Sequence, residues 1–350
     1  MTVDGKSLSI VIQGQVTRPS SAPAHQQVTR RNIENIRRIL PAAEVVLSTW
    51  KGADTEGLSP DLLVLSEDPG AWVRGCGRTN NVNRQIVSSR EGLRASTRRY
   101  AVKMRTDCEL IHDGFLSLLA QEGPLCSDLR LFQQRIVGCQ FFFRDPWKSS
   151  MLFHIGDIFQ SGLRDDLLDL WDIPLSPGDQ GHSLADALRR ASPPALVFSV
   201  RNFSHYEEQY IWLSLLAKKG VPATLVYPFD ATADLVRRSE LSIANNFVIA
   251  GPEQLGLVLM SRVMRLGDPY STYTPEDWKV LSKIYCAGNE AAIARRISTV
   301  MRRHFAQEWR WLGQRMLHPG RILRFARNQI NGTRSLAHVA DFDEEWSHLL

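Results

Sequence analysis

Through the first hundred residues, short runs of Val, Ile and Leu alternate with stretches of helical period, and that rhythm limits the fold more than any other feature. LSIVIQG (8–14), AEVVLSTW (43–50), DLLVLSEDPG (61–70) and YAVKMRTD (100–107) read as strands. NIENIRRIL places Ile33, Ile36 and Leu40 on one helical face, and Pro41 ends it. NNVNRQIVSSREGL (80–93) repeats that spacing with Val82, Ile86 and Val87, with Asn80 or Asn81 as the cap. Strands separated by helices predict an open, mostly parallel α/β sheet whose ligands bind beyond the carboxyl ends of the strands. Four such ends carry polar or aromatic groups: Gln13-Gly14, Thr49-Trp50, Glu67-Asp68, and the run from Arg105 through Asp107 to Glu109.

The later chain is less regular. IVGCQFFF (136–143), MLFHIGD (151–157) and ELSIANNFVIAG (240–251) read as strands, and SHYEEQYIWLSLLAKKG (204–220) as a helix. TPEDWKVLSKIYC (274–286) reads as a helix capped by Thr274. The 350 residues are 43% hydrophobic and 23% charged, an ordinary soluble composition with enough apolar material for a self-sufficient core. The five cysteines are scattered and contain no Cys-x-x-Cys pair, which argues against a zinc ribbon and a disulfide framework. The N-terminus lacks the basic and apolar regions of a signal peptide, and no run reaches the ~18 apolar residues of a membrane span. Cytoplasmic residence is the expectation.

YAVKMRTDCEL (100–110) holds the densest chemistry. Lys103, Arg105, Asp107 and Glu109 share one parity, so a continued strand would present two cations and two acids on one face. Such a face suits a metal-bound diphosphate, with Asp107 and Glu109 as oxygen ligands for magnesium or manganese. It equally suits a self-compensating edge strand, with Asp107 capping a following helix. NNVNRQ sets Asn81, Arg84 and Gln85 on the first turns of a helix, a place for a phosphate or sugar hydroxyl or for ordinary capping. Glu67 and Asp68 end a strand as nucleoside contacts or as turn acids. His154 and Asp157 follow an apolar run, and Glu207 and Glu208 open a helix, where acids suit the dipole.

The segment 301–334 carries eight arginines against one acid, Glu308. Phe305, Trp309, Leu312 and Met316 fall at helical intervals on one side, up to an interruption at Pro319-Gly320. Three readings follow, in this order: a helix packed on the domain by its aromatic face, a helix on an anionic membrane surface, and a nucleic-acid contact. No nucleic-acid fold signature accompanies the tail, so nucleic acid ranks last as a partner.

Taken in order, SIVIQGQVTR, LPAAEVVLSTWKG, SEDPG, NNVNRQIVSSREGL and YAVKMRTD resemble the WavE family of lipopolysaccharide-synthesis proteins. HIGDIFQSG, EEQYIW and SELSIANNF resemble it more loosely. The resemblance spans 7–250, is strongest over 8–110, and leaves the basic tail outside. It implies a Rossmann-like nucleotide-sugar fold of the GT-A type. The chain then divides into a glycosyltransferase domain over 1–275, with donor half 1–120 and acceptor half 121–275, and a helical Arg-rich segment over 276–350. By that resemblance Gln13 and Gly14 lie at the first donor loop, and Glu67 or Asp68 approaches the nucleoside. Asn81, Arg84, Gln85, Lys103 and Arg105 line the donor pocket. Asp107 binds a divalent cation, with Glu109, or the diphosphate, although RTDCE departs from the family's DxD and Arg105 can replace part of the metal's charge. Asp157 and then Glu208 are the candidates for the acceptor-side base.

The function so implied is transfer of a sugar from a nucleotide-diphosphate donor to a lipopolysaccharide-core or other surface-polysaccharide acceptor. The enzyme would stay peripheral at the inner membrane through 301–334. The rival is a non-catalytic scaffold of the same fold in a polysaccharide assembly system.

Overall fold

The computed structural model describes residues 3–16, 27–73, 79–119, 128–178, 205–266 and 270–316. Its strands are β1 (Leu8–Gln13), β2 (Glu44–Trp50), β3 (Leu62–Ser66), β4 (Trp72–Val73), β5 (Thr79–Asn80), β6 (Tyr100–Arg105), β7 (Cys108–Leu110), β8 (Ile136–Cys139), β9 (Phe159–Leu163), β10 (Phe247–Ala250) and β11 (Leu257–Leu259). Its helices are α1 (Val28–Ile39), α2 (Val82–Ala95), α3 (Phe115–Leu119), α4 (Arg164–Trp171), α5 (Glu207–Lys218), α6 (Ala233–Asn246), α7 (Pro252–Leu255), α8 (Ser261–Leu266), α9 (Pro275–Cys286) and α10 (Glu290–Met316). The main sheet has seven strands in the order β10-β8-β9-β6-β1-β2-β3. β3, β2, β1 and β6 pair in parallel, as do β8 and β10, and β9 alone runs antiparallel to its neighbours β6 and β8. This is the mostly parallel α/β sheet that the sequence rhythm predicts, and it is Rossmann-like as the family resemblance implies.

Helices cover both faces, and the alternation of side chains along β1 shows why. Leu8, Ile10 and Ile12 enter one apolar layer with Ile33 and Ile36 of α1, whereas Val11 enters the other with Ile86 and Leu93 of α2. α2 lies close enough on the sheet that a Cβ on Gly92 would overlap Val11 Cγ1 and come within 2.9 Å of Ser48 Cβ. Glycine is there for approach distance.

Several sequence expectations need correction. The stretch 151–157 is not a strand; it is a buried loop, and the strand that follows it is β9, which begins at Phe159. Extended structure after Ile136 stops at Cys139 rather than running to residue 143. The stretch 240–251 is mostly helix: α6 starts on its cap Thr232, buries Val236, Ser239, Glu240 and Ile243 at helical spacing, and only then passes into β10. Nor does one strand carry Lys103 through Glu109, because β6 ends at Arg105, the chain turns at Thr106-Asp107, and β7 pairs with β11 in a separate ribbon. Thr274 does cap α9, through a reciprocal box with Asp277.

The basic helix is turned the other way from the first-ranked expectation. α10 packs inward through Ile293, Val300, His304 and Glu308, and leaves Phe305 59% and Trp309 48% exposed. Arg296 anchors it, donating from Nε to Glu240 Oε1 at 2.7 Å and from Nη2 to Asp145 Oδ1 at 2.9 Å. The Tyr285 hydroxyl donates to the second Glu240 oxygen at 2.9 Å. Residues 317–334 of the expected tail lie outside the described residues.

Candidate functional site

The strand order reverses at β1. The chain adds β2 and β3 on one side and returns with β6 on the other, and in open α/β sheets ligands bind beyond the carboxyl ends of the strands at such a reversal. Gln13 and Arg105 are register partners there. Gly14 follows with φ +116°, a left-handed conformation that a side chain would strain. Thr106 closes the two ends together: its N–H donates to Gln13 O at 3.0 Å and its hydroxyl to Gln15 O at 2.5 Å. The Gln13 side chain is buried and accepts from the Ser88 hydroxyl of α2 at 2.5 Å.

At the end of β6 the turn folds Asp107 back on Arg105. The guanidinium forks onto both carboxylate oxygens, Nε to Oδ1 at 2.8 Å and Nη2 to Oδ2 at 2.7 Å. Burial alone would lower the Arg105 pKa, but the Asp107 fork outweighs it and the pKa is raised. Glu109 points to α1, where Arg31 forks onto it at 3.2 and 2.5 Å. The two acids of Asp-Cys-Glu therefore face different arginines.

A second group reaches the same edge because β9 runs backwards. An antiparallel strand brings its start, not its end, to the edge where its neighbours finish, and Asp157 lies two residues before Phe159. Asp157 is 1% exposed, and neither carboxylate oxygen has a hydrogen-bond partner among the described residues. The loop that holds it is fixed from below. Lys103 donates to the Asp157 carbonyl and lies 4.2 Å over the Trp171 ring. Gln160 links the Trp171 indole N–H, at 2.7 Å, to the Gly156 carbonyl, at 2.8 Å. Burial pushes the Lys103 ammonium down to about 8, although the neighbouring Asp157 charge opposes the shift.

Glu208, on the first turn of α5, is buried with His154 at 3.5 Å and has its pKa pushed up to about 8, first by burial and then by the Asp157 charge. His154 Nδ1 lies 2.7 Å from the Phe142 carbonyl oxygen. A carbonyl only accepts, so Nδ1 carries a hydrogen and Nε2 is the nitrogen that meets Glu208. Phe142 and Phe153, at the two ends of this contact, have φ of 69° and 55°, values that cost strain for aromatic residues.

The remaining predicted residues form a separate, more exposed group. Arg84 forks onto Asp68 at 2.8 and 2.7 Å and also donates to Asn81 Oδ1 at 3.0 Å, which holds the Asp68 carboxyl below its usual range. Gln85 turns inward, with its buried Oε1 unpartnered among the described residues. Glu67 is exposed and pairs with Lys51 at 2.6 Å. The structure thus brings Gln13, Gly14, Lys103, Arg105, Asp107, Asp157 and Glu208 to one edge, Asn81, Arg84 and Asp68 to another patch, and leaves Glu67 and Glu109 with partners of their own.

The residues do not fit a divalent cation held jointly by Asp107 and Glu109. Each carboxylate is taken by an arginine, and no group of three His, Cys, Asp or Glu among the described residues is placed to share an ion. The positive charge beside Asp107 is that of Arg105. His154 carried weak signal in the sequence, and Arg31 and Trp171 carried none, because their roles arise from contacts across the fold.

The class defined by this fold and edge is an α/β protein with a Rossmann-like, mostly parallel sheet and a group of polar and charged side chains at its topological switch point. The family described as WavE lipopolysaccharide synthesis matches residues 8–312, and the chain belongs to it. The match extends into α10, which the sequence resemblance had left outside. Membership supports a role in lipopolysaccharide synthesis. No curated protein sequence matches the chain. Among solved structures, HddC from Yersinia pseudotuberculosis is 10% identical, with TM-score 0.26, over 49% of this chain and 81% of its own. The 4-diphosphocytidyl-2C-methyl-D-erythritol synthase of Anaerococcus prevotii DSM 20548 is 12% identical, with TM-score 0.29, over 62% of this chain and 100% of its own. Likeness that slight carries no argument about activity. No helix among the described residues is long and apolar enough to cross a membrane.

Proposed function

We propose that the protein is a glycosyltransferase. It moves a sugar from a nucleotide-diphosphate donor to a lipopolysaccharide-core or other surface-polysaccharide acceptor, a class of acceptor that is lipid-linked at the inner membrane face. The observation that carries this reading is Asp157, a buried carboxylate whose two oxygens have no hydrogen-bond partner among the described residues, at the edge where Arg105 and Asp107 also stand. A buried acid without a partner is costly for folding alone, and an acceptor hydroxyl supplies the missing hydrogen bond. As the acceptor oxygen bonds to the sugar's anomeric carbon, Asp157 takes the hydroxyl proton. The bond from that carbon to the diphosphate breaks, and the departing oxygen keeps the electron pair. Arg105 meets the charge that develops there, its guanidinium already fixed by the fork on Asp107. Lys103 and the Gln160–Trp171 link hold the Asp157 loop in place. Glu208 and His154 stand behind it as a paired acid and imidazole.

Calorimetry with UDP, GDP, CDP, CMP and dTDP, each with and without manganese, tests the donor side. One of the diphosphates is expected to bind with an affinity that manganese changes little. Arg105→Lys, which keeps the charge but loses the fork, should weaken it by about tenfold. Binding that requires manganese would overturn the arginine-based reading of the donor site. If no nucleotide binds, the scaffold reading replaces the enzyme.

A further inference from the structure

The outward side of α10 is at odds with a helix that merely finishes a domain. Residues 293, 296, 297, 300, 304, 307 and 308 face inward or stand at the boundary, and Arg295, Ser298, Arg302, Phe305 and Trp309 follow one another at helical intervals on the exposed side. Phe305 and Trp309 make an edge-to-face pair with ring centroids 5.7 Å apart. At 1.5 Å rise per residue this stripe is about 21 Å long.

Its charge has one sign. From Ala291 to Met316 the sequence contains a single carboxylate, Glu308. That acid is buried, accepting from the Tyr227 hydroxyl at 2.8 Å and lying 3.3 Å from His304. The exposed side therefore offers Arg295, Arg302 and Arg310 and no acid, while Arg303 lies at its margin, stacked 4.4 Å over Trp147.

We propose that this side of α10 docks on the surface of an anionic phospholipid bilayer, with Phe305 and Trp309 at the level of the headgroups and Arg295, Arg302 and Arg310 against lipid phosphates. A planar, diffuse negative surface complements a stripe of like charges, and amphipathic aromatic rings prefer the headgroup region. A second copy of this chain is disfavoured, because a two-fold contact through this face would set arginines against arginines. The proposal deepens the reading of a lipid-linked acceptor: it explains how an enzyme reaches one. Its failure is separable from that reading, because nucleotide binding is measured without lipid.

The test is sedimentation of the full chain with vesicles, either pure phosphatidylcholine or phosphatidylcholine with about a third phosphatidylglycerol. The protein is expected to sediment with the anionic vesicles only, and to be released as salt is raised. Phe305→Ala with Trp309→Ala should lower the partition at least about tenfold, and Arg302→Glu with Arg310→Glu by a similar factor, with nucleotide binding unchanged in both. These side chains face outward, so the core contacts of α10 survive, and circular dichroism of each variant checks the fold. Equal partition to both vesicle types, or anionic binding that both double variants retain, overturns the proposal. So does self-association in gel filtration, or salt-sensitive binding of single-stranded nucleic acid without vesicle binding, when the aromatic variant abolishes it.

Discussion

Asp157 and Glu208 are two acids that the fold has taken out of water and left close enough to feel each other's charge. They divide the work differently. Asp157 offers two oxygens without a hydrogen-bond partner among the described residues, and Asp157→Asn should lower turnover by about 10²–10⁴-fold while nucleotide binding and thermal midpoint hold or rise. A fall in nucleotide affinity equal to the fall in turnover would move Asp157 out of the acceptor site. Glu208 binds its proton more tightly in the folded chain, since its pKa rises from 4.5 to about 8. The stability that this provides is complete below pH 4.5 and is lost as pH rises through about 8. Urea midpoints measured across that window should therefore fall for the wild type and stay flatter for Glu208→Gln, by about 2–4 kcal/mol at the alkaline end. Parallel curves would show that the pair contributes no proton linkage. In the sequence Glu208 was indistinguishable from an acid suiting a helix dipole, because only the His154 contact and the nearby Asp157 charge give it another role.

Among the elements, the contact of α2 with the sheet is the tightest constraint. Gly92→Ala would drive a methyl into Val11 and Ser48 and should cost about 1–3 kcal/mol by overpacking, read as a lower thermal midpoint with donor affinity little changed. The first hundred residues were legible because their strands are apolar throughout and their helices keep a clean period, so each pattern has one reading. Parity along β6 was right for Lys103 and Arg105 and failed beyond them, since nothing in Arg-Thr-Asp-Cys-Glu announces that the chain turns at Thr106-Asp107. β9 was missed for a similar reason. FQSGL is short and carries polar residues that serve the core by hydrogen bonds, Gln160 to Trp171 and Gly156, instead of by apolar area. The helix α6 was read as a strand because SIANNFVIA joins two elements with no glycine or proline between them.

For the whole molecule, Arg296 decides whether α10 belongs to the domain. It sits between Asp145 and Glu240, whose carboxyls burial pushes up, Glu240 to about 7, and Arg296 opposes both shifts. Arg296→Leu leaves two buried acids without their cation, and should destabilise the chain by about 3–5 kcal/mol, with the loss growing as pH rises through 7. Glu240→Gln in the same chain should recover part of it. No recovery would mean that the cost lies in packing against Trp147. The orientation of α10 could not be read from its sequence, because Ile293-x6-Val300 on one side and Phe305-x3-Trp309 on the other are both apolar series. The arginine at 296 that selects the inner side looks like any other in the run. The backwards course of β9 has a consequence for synthesis. β6 leaves the ribosome about fifty residues before the strand that will cover its free side. At about 5–20 residues per second a nascent chain holds a bare row of backbone donors and acceptors open for several seconds. Premature termination in that interval yields fragments primed to pair edge to edge, so a host that binds nascent chains early should give more intact protein than one with faster translation.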